Sequence, residues 1–179
     1  PVGAVVVKNG RKIGQGWHKK AGGPHAEVYA LRQAGAAARG ATLYVTLEPC
    51  STFGRTPPCT DAVLRAGIAR VVVATTDPNP RHAGRGLRLL RKAGVRVDVG
   101  ACGEEAAALL APFACRMRRQ RPFFTLKLGL SLDGRIADRT HSSRWITGPD
   151  AREMVQAMRR ASDAILVGAG TVRHDDPSL

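Results

Sequence analysis

The sequence predicts an α/β protein in which a complete three-layer α/β/α domain with a mixed sheet is followed by the start of a second α/β domain. Three observations predict this organisation. A hairpin pattern opens the chain, strand and helix patterns then alternate, and an arginine-rich run ending in proline interrupts the alternation near residue 120. The length of 179 residues fits one full domain and part of another.

The opening hairpin is the strongest local signal. The valine-rich residues 2–8 and residues 11–17 flank the dipeptide Asn9-Gly10, which suits the tight turn between two antiparallel strands. We therefore expect the sheet to begin with an antiparallel pair.

Helical and strand patterns alternate after the hairpin. Pro24 precedes a stretch rich in Ala and Leu, as is typical of a helix start, and Gly67 and Gly94 end two later helical patterns. Alternation at this spacing predicts parallel β-α-β units with helices covering the sheet. The predicted helices are residues 25–38, 60–66, 86–93 and 104–117, and the predicted strands are residues 42–46, 70–75 and 95–99.

The arginine-rich residues 116–122 are the best candidate for a domain boundary, because Pro122 ends their charged helical pattern. We expect a first domain of residues 1–119 and a second of residues 120–179. A solvated helix end and linker explains these arginines better than a phosphate or nucleic-acid patch. The second part predicts strands at 123–130 and 164–167, a turn at 131–134 and a helix start at 148–150, enough to bury only part of a core.

Charge and composition exclude several classes of protein. The net charge is +14, but the basic residues are spread along the chain and aromatic residues make up only 4%, so a nucleic-acid partner is not expected. No apolar run could span a bilayer and no signal peptide opens the chain, so we expect no membrane partner and a cytoplasmic location. Four cysteines without an export signal indicate metal or thiol chemistry.

Four residues carry the predicted chemistry: His25, Glu27, Cys50 and Cys59. One imidazole and two thiolates leave the fourth position of a zinc ion open, which is typical of a catalytic zinc site. Two thiolates cancel the charge of the metal, so a base is needed to take a proton from water. Glu27 lies in the same helical turn as His25 and is placed for that step.

The order of these residues is more informative than any one of them. A His-x-Glu pair is common by chance, and cysteines in an α/β domain are usually packing residues. Here histidine and glutamate at a helix start precede a strand ending in Glu-Pro-Cys and a second cysteine before a helix, which is the zinc deaminase signature with one altered spacing. Cys102 and Cys115 lack this context and are expected to be structural.

The spacing of the two cysteines selects within the deaminases. Residues 51–58 separate them, where nucleoside and tRNA deaminases have two residues. The distinctive motifs are Glu48-Pro49-Cys50, Gly54-Arg55-Thr56-Pro57-Pro58-Cys59, Asp77-Pro78-Asn79-Pro80, Leu126-Lys127-Leu128-Gly129, Ser131-Leu132-Asp133-Gly134, Trp145-Ile146-Thr147 and Asp175-Asp176-Pro177. With these motifs the chain resembles, over nearly its whole length, the bifunctional deaminase/reductase family of riboflavin biosynthesis, known as RibD or RibG.

The resemblance implies a cytidine-deaminase-like domain joined to a dihydrofolate-reductase-like domain. The first would use one zinc ion to release ammonia from 2,5-diamino-6-ribosylamino-4(3H)-pyrimidinone 5′-phosphate. The second would reduce the ribosyl group of the product, 5-amino-6-(5-phosphoribosylamino)uracil, to ribityl with NADPH. The partner implied is thus a small phosphorylated pyrimidine, and the full-length protein is expected to be a homo-oligomer.

The resemblance also implies roles for individual residues. It implies that Glu27 is the proton shuttle and that His25, Cys50 and Cys59 are the zinc ligands. The implied substrate positions are His18, Ala26, Arg55, Asn79, Ser143, Arg159 and Leu179. The implied NADP positions are Gly129, Trp145, Thr171 and Asp175. NADP rests on the resemblance alone, because Gly168-Ala169-Gly170 lacks the third glycine of a dinucleotide fingerprint.

The sequence departs from the family pattern at several points. Thr52 and Tyr29 stand where many relatives carry histidine, so a substrate contact is lost or supplied elsewhere. The Pro-Asn-Pro motif of the family would lie before Pro1. We expect the chain to be a fragment whose reductase continues beyond Leu179, and we expect no NADPH-dependent reduction from these residues alone.

Two other classes of function stay open at this point. A nucleoside or tRNA base deaminase fits the basic charge but has a shorter cysteine spacing, and salt-dependent affinity for tRNA would identify it. A zinc-stabilised binding module fits the ligand types but not the open fourth position.

Overall fold

The computed structural model of the chain describes residues 2–179, which divide into two compact units between Phe124 and Thr125. The boundary expected after residue 119 stays a prediction, and Pro1, the first residue of the expected first domain, lies outside the described residues. Helix α5, the last helix of the first unit, spans Ala111–Arg119.

The first unit is built on one five-stranded mixed sheet. Its strands are β1 (Gly3–Lys8), β2 (Arg11–Trp17), β3 (Thr42–Leu47), β4 (Arg70–Thr75) and β5 (Arg96–Val99). The spatial order is β2-β1-β3-β4-β5. Strand β1 is antiparallel to both β2 and β3, whereas β3, β4 and β5 are parallel. This arrangement confirms the predicted mixed sheet that begins as an antiparallel pair.

The hairpin turn has the conformation that its sequence predicts. Asn9 and Gly10 have φ angles of 50° and 73°. Positive φ at both central residues is the requirement of a type I′ turn, which favours Asn and Gly because a larger side chain is strained there.

Helices cover both faces of this sheet. The helices of the first unit are α1 (Ala26–Ala34), α2 (Cys59–Arg65), α3 (Arg85–Lys92), α4 (Gly103–Leu109) and α5 (Ala111–Arg119). Apolar side chains of α1, α2 and α3 join one buried cluster with β1, β3 and β4. Helix α4 packs against β4, and its buried Ala106 lies outside that cluster. The three-layer α/β/α architecture is therefore confirmed.

The core lies between the sheet and α1, α2 and α3. Leu43, Val71 and Val73 are fully buried there, together with Val63 of α2 and Leu90 of α3. Alternate residues of β3 point inward, whereas Tyr44 between Leu43 and the next inward residue is exposed. This alternation is what a strand with one face against a core requires.

Two glycines of β2 allow α1 to lie directly on the sheet. A Cβ atom on Gly16 would lie 2.5 Å from the backbone oxygen of Ala26, and a Cβ atom on Gly14 would overlap the backbone oxygen of Ala30. Real Cβ atoms do not approach other atoms so closely. The absence of side chains at these two positions thus sets how near α1 comes to the sheet.

Two predicted helices are shorter than expected. The helix predicted for residues 25–38 ends at Ala34 and continues as a 3₁₀ turn, Gly35–Ala38, because Gly35 has a positive φ of 54°. The helix predicted for residues 104–117 is divided into α4 and α5. Pro112 lies in the first turn of α5, where its missing N–H is tolerated, whereas inside a continuous helix it would break the hydrogen-bond ladder.

The second unit has a different character. It contains α6 (Pro149–Arg160) and α7 (Ala169–Asp175), which confirms the helix start at 148–150. The strands predicted at 123–130 and 164–167 were wrong, since no strand occurs among the described residues after β5. Leu126 and Leu166 in these segments are 82% and 89% exposed. An extended apolar segment becomes a strand only when a second segment pairs with its backbone.

None of the helices formed by residues 2–179 has both the length and the apolar character needed to cross a membrane.

Candidate metal centre

Three elements of the first unit bring His25, Cys50 and Cys59 together. His25 is the N-cap residue of α1, Cys50 follows the end of β3, and Cys59 is the first residue of α2. The Nδ1 atom of His25 lies 3.1 Å from Sγ of Cys59 and 3.5 Å from Sγ of Cys50. All three potential ligand atoms lie within 4.8 Å of one another. The loop between the two cysteines therefore brings their sulfurs close together, although eight residues separate them in the sequence.

The two thiols have opposite acidities because they share a hydrogen bond. The bond from Cys59 lowers the pKa of Cys50 far below its ordinary value, and His25 and the backbone N–H of Cys59, 3.2 Å from the sulfur, support the thiolate. The same bond raises the pKa of Cys59, with burial adding to the shift. The hydrogen bond with Cys50 also raises the pKa of His25. The pocket thus already stabilises negative charge on sulfur.

Glu27 lies one residue inside α1 and its side chain is buried. Burial raises the pKa of Glu27, since desolvation disfavours the carboxylate, and the neighbouring Cys50 adds to the shift. Its Oε2 atom has no hydrogen-bond partner in the structure. An unpaired buried carboxylate oxygen is rare and points to a missing ligand or water.

These residues fit a zinc ion. One imidazole and two sulfurs are ligand types that zinc accepts in tetrahedral sites, and three protein ligands leave one position open. Glu27, with its unpaired oxygen, is available beside that set. The cofactor that the sequence predicts thus matches the donor chemistry of the pocket.

Of the four predicted substrate positions of the first unit, the structure brings His18 and Ala26 next to His25, and it records other contacts for Arg55 and Asn79. The ring of His18 meets the ring of His25 edge to face, with centroids 5.3 Å apart, and Ala26 is buried beside it in α1. Arg55 is exposed, and its Cδ would lie 3.7 Å from a Cβ on Gly22. Asn79 is half-buried, and its Oδ1 accepts a hydrogen bond of 3.0 Å from the backbone N–H of Arg81.

Glu48 is a further residue of the site to which the sequence analysis gave no role of its own. It is 5% exposed, and its carboxylate accepts backbone hydrogen bonds from Asp77 (3.2 Å), Gly84 (2.8 Å) and Gly86 (2.8 Å). Two residues before Cys50, it therefore ties the ligand-bearing segment to the loop that carries Asn79 and to the start of α3. A Cβ atom on Gly86 would overlap the backbone oxygen of Pro49, so the two segments are in direct contact.

The predicted reductase positions lie in the second unit, and the structure brings only some of them together. Ser143 and Trp145 line a cavity of about 400 Å³, and the guanidinium of Arg152 stacks on the Trp145 ring at 4.3 Å. The Nη1 atom of Arg159 donates to the backbone oxygen of Ser178, next to Leu179, at 3.4 Å. Gly129, Thr171 and Asp175 are not among the residues that line the cavity.

Two family models match the chain. The model described as "Cytidine and deoxycytidylate deaminase zinc-binding region" matches residues 1–75, and the model described as "RibD C-terminal domain" matches residues 122–179. The first match contains His25, Glu27, Cys50 and Cys59.

Whole-chain comparisons agree with these matches. The chain is 58% identical over 178 residues to the riboflavin biosynthesis protein RibD of Aquifex aeolicus, covering 99% of this chain and 50% of that protein. The solved structure of RibD from Acinetobacter baumannii has a TM-score of 0.89 at 51% identity, covering 98% of this chain and 49% of the other.

A second solved structure is that of a diaminohydroxyphosphoribosylaminopyrimidine deaminase/5-amino-6-(5-phosphoribosylamino)uracil reductase from Thermotoga maritima. It has a TM-score of 0.91 at 48% identity, covering 99% of this chain and 51% of the other. The chain thus spans about half the length of the relatives it matches. Over that half, from its first strand to its last residues, the chain belongs to the RibD family of riboflavin-biosynthesis proteins.

Proposed function

We propose that the first unit catalyses the hydrolytic deamination of 2,5-diamino-6-ribosylamino-4(3H)-pyrimidinone 5′-phosphate. The observation that carries this proposal is the group of His25, Cys50 and Cys59 within 4.8 Å, beside a buried glutamate with an unpaired oxygen. The Thermotoga maritima relative carries the name of such a deaminase, which supports the same substrate class.

In the reaction, water replaces the exocyclic amine of the ring, and ammonia leaves. Zinc, when held by the three ligands, supplies the Lewis acidity that makes water a nucleophile near neutral pH. Glu27 would take one proton from the attacking water and deliver it to the ring nitrogen as the new C–O bond forms. It would then take the second proton from the added hydroxyl and deliver it to the exocyclic amine, which leaves as ammonia when the C–N bond breaks. The raised pKa of Glu27 suits this exchange, because a carboxyl group that is too acidic returns protons poorly.

Charge complementarity supports a phosphorylated substrate. Arg55 projects from the loop between the two cysteines, is exposed, and has no carboxylate partner among the ion pairs of the described residues. We propose that it pairs with the 5′-phosphate, for which a guanidinium fork is well suited. His18, Ala26 and Asn79 are proposed to contact the pyrimidine or the ribose.

We propose a separate role for the second unit in the longer protein. Gly129, Trp145, Thr171 and Asp175 would contact NADPH, and Ser143, Arg159 and Leu179 would contact the substrate that is reduced. The match of residues 122–179 to the RibD C-terminal model supports this role and a boundary after residue 119. We also propose that the longer protein is a cytoplasmic homo-oligomer.

Substitution of the proton shuttle tests the deaminase function. Zinc-loaded Glu27→Gln should release ammonia from the diaminopyrimidine ribotide at least ~10²–10⁴-fold more slowly than the wild type, because general acid–base transfer is lost. It should retain one zinc ion per chain. Ammonia release and zinc content are measured on the same samples.

The matched control is Glu105→Gln, which removes an exposed glutamate from α4 and should leave both quantities unchanged. Near-normal turnover of zinc-replete Glu27→Gln would show that another group moves the proton. Ammonia release from free cytidine or from tRNA, with none from the ribotide, would assign the unit to the base deaminases instead.

A further inference from the structure

The two ring nitrogens of His25 face different partners. Nδ1 is turned towards the sulfurs of Cys59 and Cys50, at 3.1 and 3.5 Å. Nε2 lies on the far side of the ring, 3.4 Å from the hydroxyl oxygen of Thr56. Only Nδ1 therefore lies among the ligand atoms, and Nε2 contacts a polar side chain from the loop between the cysteines.

A metal-binding imidazole uses one nitrogen for the metal and keeps a hydrogen on the other. That N–H usually donates to an acceptor, which selects the tautomer and fixes the plane of the ring. When Nδ1 binds a metal, the hydrogen of His25 must reside on Nε2, and Oγ1 of Thr56 is positioned to accept it. We propose that Thr56 is a positioning residue that holds His25 in its metal-binding tautomer and orientation.

The local sequence restricts the conformation of Thr56. The side chain is half-buried, and the backbone oxygen of Thr56 accepts a 3.2 Å hydrogen bond from the N–H of Gly54. Pro57 follows and restricts the backbone of the residue before it to extended conformations. The β-branched side chain of Thr56 has few rotamers. Little conformational freedom is therefore lost when its hydroxyl meets the imidazole.

Thr52 offers a matched comparison within the same loop. Its hydroxyl oxygen lies 3.5 Å from Nδ1 of His82, a residue that follows β4, rather than near His25. Both threonines are half-buried and carry one side-chain hydroxyl near an imidazole. They differ in whether that imidazole belongs to the metal-ligand group.

Zinc affinity tests the proposal, which rests on zinc being held as in the proposed function. We expect Thr56→Val to bind zinc about 10–100-fold more weakly in a chelator competition, the usual cost of removing a partner of a ligating histidine. Thr56→Ser keeps a hydroxyl and should restore most of the affinity. Thr52→Val should bind zinc as the wild type does.

A spectroscopic signature separates positioning from general loss of structure. In the zinc-loaded wild type and in Thr56→Ser, the Nε2 proton of His25 should be visible by NMR as a slowly exchanging signal. In zinc-saturated Thr56→Val it should exchange with solvent too fast to be seen, while the thermal unfolding of the metal-free protein changes no more than in Thr52→Val.

Three results would overturn the proposal: unchanged zinc affinity in Thr56→Val, an equal loss of affinity in Thr52→Val, or, in the zinc-loaded wild type, a His25 proton on Nδ1 instead of Nε2. These readouts do not involve turnover. The two proposals can also fail separately. If Thr56→Val weakens zinc binding as expected but the wild type releases no ammonia from any pyrimidine, the proposed deamination is contradicted and the role of Thr56 still holds.

Discussion

Similar apolar strand patterns in the sequence lead to different structures in the two units of the chain. In the first, apolar strand patterns form a five-stranded sheet with fully buried residues such as Leu43 and Val73. In the second, the apolar segments around Leu126 and Leu166 remain exposed and unpaired within the described residues. The difference teaches that an apolar alternating pattern specifies a strand only together with its pairing partners. Helices, whose hydrogen bonds are internal, formed in both units.

The same difference separates the two sets of candidate site residues. The predicted metal ligands follow β3 or stand at the starts of α1 and α2, elements that are packed on the sheet. Gly129 lies in a segment without strand pairing. A site whose residues are anchored to a core is held in shape before a ligand binds, which is what a metal centre with a proton shuttle requires.

The largest effect on stability should come from the core of the first unit. Leu43→Ala removes a fully buried side chain of β3 and should lower the free energy of unfolding by about 2–5 kcal/mol, measured by urea denaturation. Leu132→Ala, at a fully exposed position of the second unit, should change it by less than about 0.5 kcal/mol. Equal losses in the two variants would show that the second unit buries Leu132 in solution.

A smaller effect should follow when the buried carboxylate of Glu48 is neutralised. Glu48→Gln keeps the shape but offers one acceptor oxygen to three backbone donors, so at least one N–H is left unpaired. We expect a loss of about 1–3 kcal/mol. Hydrogen exchange should increase at the amides of Gly84 and Gly86 and remain unchanged in the second unit. Exchange that rises equally in both units would contradict this local anchor.

The smallest effect should concern the ion pairs at the edge of the sheet. The Nε atom of Arg70, in β4, donates a 2.6 Å hydrogen bond to Oδ2 of Asp98, in β5. This bond holds the pKa of the Asp98 carboxyl below its ordinary value. A lowered pKa means that the pair stabilises the fold above the unfolded-state pKa, and that this contribution disappears as the pH falls through the folded-state value. The urea midpoint of the wild type should therefore decline with acidification slightly more than that of Asp98→Asn.

Asp133 provides the matched control for this acid dependence. The hydrogen bond from Ser131 lowers the pKa of Asp133, but both residues belong to one exposed turn of the second unit. Asp133→Asn should leave the acid dependence of the first unit unchanged. High salt should reduce the difference between wild type and Asp98→Asn, because exposed pairs are screened.

Local signals predicted the first unit well. The Asn9-Gly10 turn and the valine-rich strands carry their structural preferences within a few residues, and the sheet confirmed them. The order of His25, Cys50 and Cys59 was sufficient to predict that their potential ligand atoms lie together, because a helix start and a strand end on one sheet edge meet in an α/β fold.

Other features could not be read from the sequence because their partners lie far along the chain. The donors to Glu48 come from residues 29 to 38 positions later. The approach of Thr56 to His25 depends on how the loop after Cys50 folds back over 31 positions. The strands predicted in the second unit were wrong for the same reason, since strand pairing is a property of two segments.

The close contact of β2 with α1 has a consequence for how this enzyme family can be varied. Strand β2 carries none of the proposed catalytic groups, yet its bare positions Gly14 and Gly16 define the depth at which α1 rests. Helix α1 starts one residue after His25 and bears Glu27. The strand therefore sets the distance of both side chains from the sheet. Adding even one methyl group at either glycine would displace Glu27 relative to the sulfurs of Cys50, which follows β3, and Cys59 of α2. A protein engineer could thus adjust the distance between Glu27 and the two sulfurs from an edge strand, without altering any of the proposed catalytic or substrate-binding residues.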